Sequence, residues 1–177
     1  MKRSTERGFT LVEIMIVVAI IALLAAIAIP NVLRGRTTAN ESSAIGNLRA
    51  LVSSLEMFRS VNNDYPKDTS WVAQMYPAGV PAFGPPSFNL AMTGQTVQGY
   101  MYTYLALPAA CTDAANDCTN YTVSAIPQTW GGTGVRSLVA DSTGVIRHCT
   151  GTAQGQTADP TGAGQDNTID TGAANCD

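Results

Sequence analysis

Between Phe9 and Ile29 the chain carries one charged side chain, Glu13, in an otherwise apolar run; from Ile14 to Ile29 no other polar side chain occurs. A helix over 9–29 is about 31 Å long at ~1.5 Å per residue, enough to cross the hydrocarbon of a bilayer. A carboxylate inside such a segment costs at least a few kcal/mol unless something pairs it, so Glu13 is a functional candidate. Ahead of the run stands a short leader, residues 1–8, with Lys2, Arg3 and Arg7 against Glu6. Positive charge before a span keeps that end cytoplasmic and exports the rest.

Two simpler readings compete. A secretory signal peptide has a basic start, an apolar stretch of about 7–15 residues and a small-residue cleavage site, which Ala26-Ile27-Ala28 could imitate. The run here is longer, Pro30 crowds that cut, and the acid would be idle. A plain membrane anchor also has no use for an intramembrane acid. Neither reading accounts for Glu13.

The block Gly8-Phe9-Thr10-Leu11-Val12-Glu13, continuing to Pro30, resembles the N-terminal signature of type IV prepilins and of type II secretion pseudopilins. The resemblance is specific over about residues 1–34. Later it touches only Asp64-Tyr65-Pro66, the stretch from Asp141 to Arg147, and the C-terminal cysteines. It implies that a membrane-embedded aspartic prepilin peptidase cuts between Gly8 and Phe9 and methylates the new N-terminal Phe9. It also implies the pilin fold, with residues 63–99 as a loop on the subunit surface. Removing the leader, of net charge +2, would take the formal net charge from −3 to −5. The exported part then has no basic stripe, and nucleic acid is not indicated as a partner.

Beyond the span an amphipathic pattern resumes. Ala44, Leu48, Leu51, Leu55 and Phe58 recur at spacings of four, three, four and three, one helical stripe, which Ile45 and Val52 widen. Asn62-Asn63 and the Tyr65-Pro66 step end it. The pattern predicts one helix from Phe9 to about Val61, near 80 Å long, kinked at Pro30 and softened at Gly35. Residues 9–30 are its transmembrane or filament-core part, and residues 31–62 its amphipathic continuation into the head. Residues 63–99 hold five of the nine prolines and read as an irregular connector, with a helical turn or two over 68–75 capped by Asp68.

Residues 100–177 carry the strand signals: Tyr100–Leu105, with three tyrosines on one face, then Tyr121–Ile126, Arg136–Ala140 and Val145–Cys149, the last two joined by a four-residue loop from Asp141. The expected class is α+β. A long N-terminal helix packs its second half on an antiparallel sheet of three or four strands, and a polar tail begins at Thr150. The four cysteines suit an oxidising compartment and allow three pairings. The favoured pairs are Cys111–Cys118 and Cys149–Cys176, worth roughly 2.5 and 3.6 kcal/mol on the loop-entropy model. The six-residue gap between the first two does not match structural zinc spacing, and His148 reads as a strand surface residue.

No cofactor is expected. The oxygen-rich loop with Asp113, Asn116, Asp117 and Asn120 raises calcium as an alternative, since some secretion pseudopilins bind it, but the spacing is not that of an EF-hand. No nucleophile–base pair, phosphate loop or nucleotide fingerprint occurs, so an enzyme is not expected. The resemblance implies a type IV pilus subunit that polymerises with copies of itself, serving adhesion, twitching or uptake. A type II secretion pseudopilin is the alternative, and an anchored binding protein that never polymerises is a third class. The implied partners are the peptidase, the membrane and an inner-membrane assembly platform. The implied locations are the bacterial inner membrane first, then an extracellular pilus or periplasmic pseudopilus. Glu13, with no cation of its own chain in reach, would pair with the Phe9 α-amine of an adjacent subunit and set axial register.

Overall fold

A computed structural model describes residues 8–108, 111 and 118–150. The chain divides into two compact units, Met1–Arg36 and Thr37–Asp177. Helix α1, Leu11–Asn62, contributes to both and runs through Pro30. Proline has no N–H to give the preceding turn. The carbonyl that loses its ladder donor is that of Ala26, and next to it Asn31 Nδ2 donates to the Ile27 carbonyl at 3.2 Å. At the other end the N–H of Asn63 donates to the Arg59 carbonyl at 2.8 Å, and Asn63 takes φ +58. That is a left-handed helix stop, which asparagine tolerates better than most residues.

In the second unit five strands follow: β1 Thr93–Val97, β2 Tyr100–Leu107, β3 Asn120–Pro127, β4 Arg136–Asp141 and β5 Ile146–Thr150. Every neighbour pair is antiparallel and the order is β1-β2-β3-β4-β5, a meander. β2 and β3 pair along their whole length, Tyr100 opposite Pro127 to Leu107 opposite Asn120. Among the described residues the sheet has five strands, against the expected three or four. β1, Thr-Gly-Gln-Thr-Val, is polar, sits at the edge and carries an irregularity between Thr93 and Gln95, so it lacks the apolar alternation of a buried strand. Its turn into β2 is Gln98-Gly99, both with positive φ (+51 and +79), the two-residue geometry that suits strand twist.

The core forms between one face of this sheet and the apolar stripe of α1. Ala44, Leu48, Leu51, Leu55 and Phe58 are buried, as are Tyr100, Tyr102 and Tyr104 of β2 and Tyr121, Val123 and Ala125 of β3. Period-two alternation puts the β2 tyrosines on one face, and that face meets the helix. The connector is less superficial than the expected surface loop. Tyr65, Trp71, Met75, Phe88 and Met92 are all sealed into the same core. Trp71 lies 4.7 Å from Tyr104 and Phe88 lies 4.9 Å edge-on to Tyr102, centroid to centroid. Helix α2, Trp71–Met75, starts after Ser70, and Asp68 Oδ1 instead accepts the N–H of Thr69. The expectation that Asp68 caps this helix is therefore corrected.

Buried ring polar atoms mostly find backbone partners, as they must in an apolar core. Trp71 Nε1 donates to the Phe88 carbonyl at 2.8 Å, the Tyr100 hydroxyl to that of Arg136 at 3.0 Å, and the Tyr104 hydroxyl to that of Pro66. Among the described residues the buried Tyr121 hydroxyl has no hydrogen-bond partner. Burial disfavours phenolate, so it pushes Tyr76 up to about 12 and raises Tyr65, Tyr100, Tyr102, Tyr104 and Tyr121 above their ordinary value.

Candidate processing and assembly segment

Thr10-Leu11-Val12-Glu13 opens α1 as a reciprocal cap. The N–H of Thr10 donates to Glu13 Oε2 at 2.8 Å, the Thr10 hydroxyl donates to the same oxygen at 2.7 Å, and the N–H of Glu13 approaches Thr10 Oγ1 at 3.3 Å. This is the capping box, a threonine before the first helical residue and a glutamate three places on. A carboxylate there also faces the positive end of the helix dipole. In this chain, then, Glu13 is not without partners. Its own chain offers two donors to Oε2 and none to Oε1 among the described residues. Sequence reasoning passed over Thr10, although the S/T-x-x-E spacing was legible.

Around this cap the surface is open. Phe9 is 86 % exposed, and among the described residues, chain neighbours aside, no heavy atom lies within 4 Å of where a side chain on Gly8 would begin. Large apolar side chains from Leu11 to Leu33 are likewise exposed, and the helix has an 18-residue window of mean hydropathy 3.0, long and apolar enough to cross a membrane. So much bare apolar surface is not stable in water, and a membrane or other helices must cover it.

In the second unit, Cys111 and Cys118 are joined by a disulfide, and the Cys118 carbonyl accepts the N–H of Tyr65 at 3.0 Å. Cys149 stands on β5 opposite Ser137, whereas Cys176 lies outside the described residues. Asp113, Asn116 and Asp117 lie outside them too, and Asn120 Oδ1 accepts the N–H of Tyr121 at the start of β3. Among the described residues no group of three or more His, Cys, Asp or Glu side chains converges on a common point.

Residues 3–29 match the family model of the prokaryotic N-terminal methylation motif. The N-terminal segment is of the prepilin type. Relatives of two named groups match it. Over 60 residues the chain is 51 % identical to the type IV major pilin protein of Myxococcus xanthus, covering 34 % of this chain and 27 % of that protein. Over 59 residues it is 48 % identical to the type IV wide pilus major component of Thermus thermophilus, covering 33 % of this chain and 45 % of that protein. Over 66 residues it is 38 % identical to the type II secretion system core protein G of Klebsiella michiganensis, covering 37 % of this chain and 46 % of that protein. The chain thus spans less than half the length of each of these relatives. No solved structure gives a significant match. The prepilin segment is shared sequence. The head is pilin-like in arrangement, a long helix packed on an antiparallel sheet.

Proposed function

We propose that this protein is a structural subunit of a type IV pilus. It is made as a membrane-anchored precursor, cut between Gly8 and Phe9, N-methylated on Phe9, and polymerised through its N-terminal helix. What carries the reading is the methylation motif over 3–29 coinciding with the apolar part of α1, residues 11–33, whose large side chains are bare and whose only acid is Glu13. The open surroundings of Gly8 suit a peptidase that must reach the bond after it. On this reading the chain is not an enzyme; the peptidase and an inner-membrane assembly platform act on it.

In the filament, the protonated α-amine of Phe9 in a neighbouring subunit would meet Glu13, taking the acceptor capacity that Thr10 leaves on Oε1. Such a pair sets register more dependably than it adds stability. The disulfide-closed head would then be presented outwards, for adhesion, twitching or uptake. Similarity to secretion core protein G supports a second reading, a pseudopilin in a short periplasmic filament. Processing is tested by intact mass. Exported protein should begin at Phe9 with one added methyl group, and Gly8→Val should leave full-length precursor in the membrane. A mature chain beginning at Ile29 would overturn the proposal in favour of an ordinary signal peptide.

A further inference from the structure

The face of the sheet turned away from the core is open at one end and sealed at the other. Alternation along β2 puts Met101 and Thr103 on that outer face, and both are exposed. On β4, Leu138 and Ala140 enter the core, so Ser137 and Val139 belong to the outer face as well. Yet Ser137 is 0 % exposed and Val139 2 %. The stripe of α1 and the connector send their buried side chains into the core, of which Val139 is no part. Among the described residues the buried Ser137 Oγ has no hydrogen-bond partner. A hydroxyl in that position calls for one.

Both residues are sealed within a single chain, so their cover belongs to the chain itself. The Cys111–Cys118 disulfide stands where β2 ends and β3 begins, since Leu107 pairs with Asn120. That is the Thr122 end of the face, and Thr122 pairs with Asp141. Ser137 lies four residues back along β4 from Asp141, about 13 Å of strand. Residues 151–177, by contrast, leave from Thr150, which pairs with Arg136 beside Ser137. Extended, they reach about 90 Å, whereas crossing from β5 to β3 takes only about 10 Å. Their composition suits the face. Thr, Gln and Asn offer hydroxyls and amides to Ser137, and Asp159, Asp166 and Asp170 complement Arg147, which stands opposite Val139. No Lys or Arg occurs among them.

We propose that residues 151–177 fold back from β5 as a strap over Ser137 and Val139, fastened by a Cys149–Cys176 disulfide. Cys149 stands opposite Ser137, at a position of the same face, so a bond from it holds the strap where the cover is needed. Nothing in this depends on the choice between pilus and pseudopilus. The full-length protein in mild detergent, carrying in turn Thr157→p-benzoylphenylalanine, Asn167→p-benzoylphenylalanine or Thr171→p-benzoylphenylalanine, is irradiated, digested and mapped by mass spectrometry. At least one position should crosslink within the chain to Ser137, Val139 or a residue beside them on β3, β4 or β5. Crosslinks that join two chains, or none to these strands from any of the three positions, overturn the strap. The fastening is read by hydroxyl-radical oxidation of the unaltered chain and of Cys176→Ser. Oxidation should rise several-fold at Val139 and stay level at the core-facing Leu138; no rise at Val139 overturns the fastened strap. A rise at both marks an unfolded head, and the crosslinks of the chain with both cysteines then decide.

Discussion

Leu51 and Met57 lie on the same helix, six residues apart and on different faces, and comparing their truncations tests how α1 is seated. Leu51 has no exposed surface and belongs to the stripe covered by the β2 and β3 tyrosines, whereas Met57 is 49 % exposed. Leu51→Ala removes buried methyl groups and leaves a void that the surrounding aromatic rings, locked by hydrogen bonds, cannot readily fill. A loss of about 3 kcal/mol or more is expected. Met57→Ala removes side-chain atoms already half in water and keeps a good helix former, so the change should stay within about 0.5 kcal/mol. For a chain of this size those values become a fall in Tm of roughly 10 °C against 1–2 °C. Urea unfolding of the full chain in mild detergent, followed by Trp71 fluorescence, reports both, with unchanged m-values confirming that stability alone has moved. Equal losses at the two positions would mean that the stripe is not the buried face and would refute the packing described above.

Gly134→Ala should be badly tolerated, because a Cβ there would fall 2.1 Å from the buried Tyr100 hydroxyl; a loss of about 1–3 kcal/mol in the same urea assay is expected, and a neutral result would argue against the Tyr100–Arg136 contact. The six tyrosines give a signature at high pH. Their folded pKa values are raised above the unfolded value of about 10, so the stability they contribute is complete below pH 10 and falls as pH rises from there towards 12 and beyond. Absorbance at the phenolate band should therefore rise late, together with loss of near-ultraviolet circular dichroism, whereas free reversible ionisation of all six near pH 10 would contradict their burial.

What was legible in the sequence was whatever repeats. The stripe from Ala44 to Phe58, the tyrosine alternation of β2 and the stop at Asn63 all follow from local periodicity or local backbone preference. The connector's share of the core was not legible. Tyr65, Trp71, Phe88 and Met92 are single residues in a proline-rich stretch, and nothing in their spacing says that they fold under the sheet. β1 escaped because an edge strand needs no apolar alternation. At the N-terminus the acid is conspicuous in the sequence because it is costly, whereas its partner Thr10 is a hydroxyl and not the cation that such an acid calls for.

The proposed role of Glu13 in assembly, beyond capping its own helix, is tested most directly by electron microscopy of filaments sheared from cells carrying Glu13→Ala. Cleavage after Gly8 should persist, since the acid is not at the cut, and intact mass on the same cells verifies it. The account predicts processed subunits in the membrane and few or no filaments. Normal numbers of normal filaments from that variant would contradict it, leaving Glu13 only the capping role it plays with Thr10.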